Sequence, residues 1–167
     1  MKKIILSVIA IMAFGFANAQ DGYFKVGVNV GLPVGNSADV FSMNLGADVA
    51  YLWNVADRFT AGVTTGYTMY VGKDYIGYMG NFAYEMTTTN QDFVPVAGTA
   101  QYSVTDNLFF GADLGYAINT HGGADGGFLY QPKFGYQNNK IELFVSYKGI
   151  ASDATISSLN LGFNYKF

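Results

Sequence analysis

The residues of this chain that can do chemistry are few. Cysteine is absent and His121 is the sole histidine. Thiolate sites are therefore excluded, and one imidazole cannot supply the three or four ligands of a metal centre. A nucleophilic hydrolase needs Ser, His and a carboxylate within hydrogen-bond reach. Around Thr120-His121-Gly122-Gly123 no serine is close in sequence, so His121 reads as a solvated loop histidine. The run Gly122-Gly123-Ala124-Asp125-Gly126-Gly127 is no phosphate cradle, because no helix follows it to offer free N–H groups. No catalytic, cofactor or metal residues are assigned.

Charge offers a different chemistry. Lys25, Asp48, Arg58, Asp113, Lys133 and Glu142 fall on the same face of their segments as Gly27, Gly46, Gly62, Gly66, Gly111, Gly115, Gly135 and Gly162. Mixed charges on a small, crowded face are expected to pair, since an unpaired buried charge is costly. Lys148 and Lys166 share that face and either join the network or reach solvent at its rims.

The segments that must position these charges are strands. From Tyr23 onward, apolar and small or polar residues alternate with a period of two, so one face of each strand is apolar. Eight such segments can be drawn: Tyr23–Gly31, Met43–Trp53, Arg58–Val71, Asp92–Val104, Leu108–Ile118, Phe128–Tyr136, Ile141–Lys148 and Ser157–Phe167. The connections alternate long and short, with short turns at Asn54-Val55-Ala56-Asp57, Thr105-Asp106-Asn107 and Gln137-Asn138-Asn139-Lys140. Pro95 and Pro132 fit badly, because a closed barrel has no edge where a missing donor is free. A bulge near Pro95 is one way out, and it would flip the parity of the fourth strand.

Sterics assign the faces. The interior of an eight-stranded barrel is barely wide enough for side chains to fill. The apolar face carries a long series of rings, and the other carries the glycines. The apolar face is therefore expected outside, in lipid. Tyr51, Trp53, Phe59, Tyr102, Phe110 and Tyr136 all lie at the short-turn end of their strands. They form an expected aromatic girdle, where a ring buries its body and wets its polar edge. The expected fold is an all-β, closed, antiparallel, up-and-down, eight-stranded transmembrane β-barrel with a plugged polar core.

The start of the chain reads as an export signal. Lys2-Lys3 form a positive n-region, Ile4 to Phe16 an apolar core, and Ala17-Asn18-Ala19 a small-x-small cleavage site. Residues 1–19 are expected to be removed, leaving one domain over 20–167. That domain has seven basic against twelve acidic residues, a net charge of about −5. It has no basic run, so it lacks the cations that neutralise nucleic-acid phosphates.

Together, the signal segment, the eight strands with their long and short connections, and the terminal strand from Ser157 to Phe167 resemble the small outer-membrane β-barrel family, of the OmpX and OmpA membrane-domain type. That resemblance implies a cell outer membrane location with both mature termini periplasmic, outer-membrane lipid around the barrel, and a structural, adhesive or defensive role. It also implies that the barrel assembly machinery reads the final strand, with Phe163, Tyr165 and Phe167 matching that signal. Some relatives modify lipid A. The deacylases among them carry His-x-Ser on one strand, whereas residue 123 here is Gly, so no enzyme is expected.

The 72–91 connection is the longest. Tyr75, Tyr78, Phe82 and Tyr84 flank Gly80-Asn81 there. They read either as a plain surface loop or as a hairpin that extends the third and fourth strands and recruits an extracellular protein strand by β-augmentation. A monomer working through this loop is the leading expectation. A narrow passive channel, a lipid-modifying enzyme and a soluble ligand-binding barrel are the alternatives.

Overall fold

A computed structural model describes residues 22–79, 82–120 and 126–167, with the backbone alone for 75–79 and 82–87. The export signal expected over 1–19 and His121 lie outside the described residues. The strands are β1 (Gly22–Pro33), β2 (Phe41–Ala56), β3 (Phe59–Gly72), β4 (Asp74–Met79), β5 (Phe82–Thr87), β6 (Gln91–Ser103), β7 (Leu108–Asn119), β8 (Gly127–Gln137), β9 (Ile141–Ala151) and β10 (Thr155–Lys166). One short helix, α1 (Ser37–Val40), interrupts the first long connection.

Eight strands close into a barrel in the order β1-β10-β9-β8-β7-β6-β3-β2, each antiparallel to its neighbours. Closure runs through β1 and β10, with Val28 opposite Phe163 and Val30 opposite Leu161. An even strand count brings the start of β1 and the end of β10 to one end of the barrel, so first and last strands meet antiparallel. That seam removes the edge that β10 would otherwise expose.

The strands are longer than alternation alone suggests. β1 runs on to Pro33, and β2 absorbs Asn54, Val55 and Ala56, with a register shift between Asn54 and Ala56. The 72–91 connection is not a plain loop, because it carries the two-stranded sheet β4–β5.

Neither internal proline causes a bulge. The β3–β6 ladder pairs Thr65 with Val96 and resumes at Thr68 and Phe93 in unchanged register. Pro95 lies in that gap, and on its other side it still pairs with Ala117. The Pro95 carbonyl accepts a hydrogen bond from Thr65 Oγ1 at 2.8 Å. Pro132 occupies the matching gap in the β8–β9 ladder, between the pairs Tyr130–Gly149 and Lys133–Ser146. Each proline thus interrupts one ladder and leaves strand parity intact.

The barrel is apolar outside, and most of its buried polar and charged side chains lie within. Val28 and Leu161 are each 59% exposed, and Leu114 and Leu159 each 56%. Asn29, Gln101, Asp113, Glu142, Lys148, Asn160 and Asn164 are buried. This inversion excludes the soluble ligand-binding barrel, whose apolar residues would face inward.

Candidate functional site

Two features of the barrel bear on function: its filled lumen, and the ribbon that stands above one end.

At the short-turn end the lumen is organised around Glu142 on β9, which is fully buried. Its carboxylate takes Lys25 Nζ at 2.9 Å and Lys166 Nζ at 3.1 Å. It also accepts from Asn164 Nδ2 at 2.8 Å and Gln101 Nε2 at 3.2 Å. Gln101 accepts from Lys25 at 3.1 Å, and Gln137 accepts from Gln101 at 2.8 Å and from Lys166 at 3.0 Å. Two cations and one carboxylate are thus held by amides that complete their hydrogen bonds, which is the condition under which buried charge is tolerated.

In mid-barrel, Lys133 Nζ pairs with Asp113 Oδ2 at 2.5 Å and stands 5.3 Å from the centre of the Phe144 ring. Nearer the loop end, Asn29 relays between two charges. Its Nδ2 donates to Asp48 at 2.6 Å, and its Oδ1 accepts from Lys148 at 3.2 Å. Lys148 also donates to Thr68 Oγ1 at 3.2 Å, which accepts from Asn44 at 2.8 Å. Above this layer the lumen turns apolar, with Phe41, Tyr70, Phe93, Ala97, Ala117, Leu129 and Ile150 packed together.

Of the six charges expected inside, Lys25, Asp48, Asp113, Lys133 and Glu142 face the lumen. Arg58 does not. It sits exposed in the β2–β3 turn with φ 125°, and its Nη1 donates to the Val104 carbonyl at 3.1 Å. The chain reverses at Asp57-Arg58, so the alternation that would have turned Arg58 inward begins only at Phe59. Lys148 and Lys166, left open between lumen and rim, both belong to the network.

The inner rings are what alternation around glycine hides. Phe109 and Phe144 are buried on the lumen face. The glycines opposite make room for them: a Cβ at Gly162 would collide with the Phe144 ring. A large ring fits a narrow barrel only where the facing position is empty, so the glycine pattern is itself the signal for these rings.

On the outer wall, the rings expected as a girdle form a belt at the turn end. Phe59 pairs with Tyr102, and Tyr102 with Phe110, whose ring lies 4.9 Å from that of Phe134. Tyr51 packs edge-on to Trp53 at 5.0 Å, and Tyr165 to Phe167 at 4.9 Å. Tyr136 is exposed beside them. A second belt, not assigned from sequence, holds Tyr67, Tyr116, Phe128, Tyr130 and Tyr147 at the loop end. Between Leu108 and Ile118 on β7 the outward residues are all apolar. Ten steps of about 3.3 Å at a tilt of about 40° give roughly 25 Å of height, the thickness of an outer-membrane apolar band.

The hairpin continues the barrel wall. β3 and β6 keep one register from Phe59–Tyr102 to Tyr70–Gln91, and β4 and β5 hold the same one from Asp74–Thr87 to Met79–Phe82. Thr88 N donates to the Lys73 carbonyl at 3.1 Å, and Gly72 N to Asn90 Oδ1 at 2.9 Å, which bridge the two ladders. Tyr75 pairs with Met86, Gly77 with Tyr84, Tyr78 with Ala83 and Met79 with Phe82. Beyond Lys73 neither arm has a second neighbour among the described residues.

No family model and no curated sequence matches the chain. Solved structures match in fold. A de novo designed transmembrane β-barrel superposes with a TM-score of 0.55 at 17% identity, over 89% of this chain and 99% of its own. Ail, the attachment invasion locus protein of Yersinia pestis, gives 0.52 at 10% identity, over 87% and 97%. Its complex with the heparin analogue sucrose octasulfate gives 0.50 at 11%, over the same shares. The chain is a closed eight-stranded barrel of transmembrane type. Among the described residues no group of His, Cys, Asp and Glu has the makings of a metal site.

Proposed function

We propose that this protein is a small outer-membrane β-barrel, exported by a cleaved segment over residues 1–19, that acts without enzymatic chemistry through its loop end. The barrel is the anchor and the β4–β5 ribbon is the working part. The observation that carries this reading is the shared register. A ribbon that extends the β3–β6 wall past the apolar band projects as a braced element, and its backbone edges can accept another strand.

Charge narrows the partner. The loop-end connections carry Asp39, Asp74, Glu85, Asp125 and Asp153 against Lys73 alone. Ail has been solved with a sulfated polyanion. An acidic loop end repels such a ligand, so a basic or uncharged protein segment is the expected partner here.

The lumen argues for an anchor rather than a channel. Its polar half is cross-linked by ion pairs, and its loop-end third is packed with apolar side chains. Replacing residues 74–87 by a two-residue turn should leave outer-membrane yield and heat-modifiable gel migration unchanged while abolishing cell-surface binding of the partner. Loss of barrel yield would show instead that the ribbon is structural. In planar bilayers the intact protein should give no stable conductance step, and a clear ohmic step would overturn the plugged lumen.

A further inference from the structure

The middle of the lumen contains a cavity of about 10 Å³, close to the least volume that holds one water molecule. It is lined by Asp48, Thr64, Thr68, Asp113, Gln131 and Lys148, with Pro95 and Leu129 completing the wall. These residues come from six strands, so the cavity lies across the barrel axis rather than in one wall. Asp113 is 96% buried, and its Oδ1 has no hydrogen-bond partner among the described residues, although its Oδ2 holds Lys133. A buried carboxylate oxygen without a donor is costly, and here it borders a polar space.

We propose that this cavity is a binding site for a single water molecule, which donates to Asp113 Oδ1 and accepts from Lys148. Lys148 Nζ makes bonds to Asn29 and Thr68, leaving one of its three donors for the water. The occupant is neutral, because Asp48 and Asp113 are balanced by Lys133 and Lys148. Volume excludes anything larger than water. The water ties the Lys133–Asp113 pair to the Asp48–Asn29–Lys148 relay, so the two clusters become one network. The apolar layer of Phe41, Tyr70, Phe93, Leu129 and Ile150 shuts the site from the loop end, so exchange with bulk water is slow.

The test uses the full mature barrel in lipid nanodiscs. Water–protein cross-relaxation should reveal one long-lived water near Lys148 and Gln131. Thr64→Leu fills the cavity from β3 and should abolish that signal while the strand amide shifts persist. Leu129→Phe fills it from β8 and serves if Thr64→Leu fails to fold. Absence of the signal in the parent protein, or its survival in both filled variants, would overturn the proposal. So would a rubidium peak at the site in anomalous diffraction, which would make the occupant a cation.

Discussion

Lys25 Nζ lies 2.9 Å from Glu142 Oε2, although β1 and β9 are not neighbours in the sheet. The two side chains meet across the inner face of β10, where Asn164 joins them. The bond is therefore a property of the closed barrel and absent from any hairpin within it. Removing the carboxylate leaves Lys25 and Lys166 facing each other without a counter-charge. Glu142→Ala should cost about 3–5 kcal/mol, the usual penalty for breaking a buried pair. Glu142→Gln should cost less, since its amide still accepts from Asn164. Urea unfolding in lipid vesicles, followed by fluorescence of the single tryptophan, Trp53, measures both.

Depth on the outer wall should set the cost of a charge there. Leu114 lies midway along the apolar face of β7, and Leu108 lies at its turn end. Leu114→Arg should destabilise by about 2–4 kcal/mol and Leu108→Arg by about 0–1 kcal/mol. Equal costs in the same vesicle assay would mean that the apolar face is not spanning lipid as assigned.

Gly162 and Phe144 occupy one space in the lumen. Gly162→Ala should cost about 1–3 kcal/mol through overpacking. Combining it with Phe144→Leu should recover part of that loss, because the smaller side chain withdraws from the added methyl. A double-mutant cycle on unfolding free energies checks the coupling. Additive losses would place the two residues out of contact.

By the resemblance to small outer-membrane barrels, Phe163, Tyr165 and Phe167 would be read during assembly, so the effect of changing Phe167 is expected in biogenesis rather than in the folded state. Phe167 is 75% exposed and packs edge-on to Tyr165. Phe167→Asp should cut outer-membrane yield more than a loop substitution such as Asp153→Ala. The stability of the purified, refolded barrel should change little. Normal yield of Phe167→Asp would remove the special role of the terminus.

Much of this protein was legible because a strand's period of two is a local property. Val26-Gly27-Val28-Asn29-Val30 and Leu159-Asn160-Leu161-Gly162-Phe163 state their own two faces. Glycine on one and a long series of rings on the other state which is inside, since a narrow lumen cannot hold that whole series. Arg58 escaped that logic because its position depends on where the chain reverses, which a one-residue shift alters completely. The inner rings of Phe109 and Phe144 escaped it because alternation assigns a face without saying how full that face is.

The sequence by itself thus determined the strands, their faces and the closed eight-stranded barrel, all of which follow from alternation and volume. Only the tertiary structure decided which charges meet, that Lys148 and Lys166 turn inward, and that the 72–91 connection holds the β3–β6 register. Those features depend on side chains that come together from strands far apart in the chain. Their distances are fixed by barrel closure, and no local pattern encodes them.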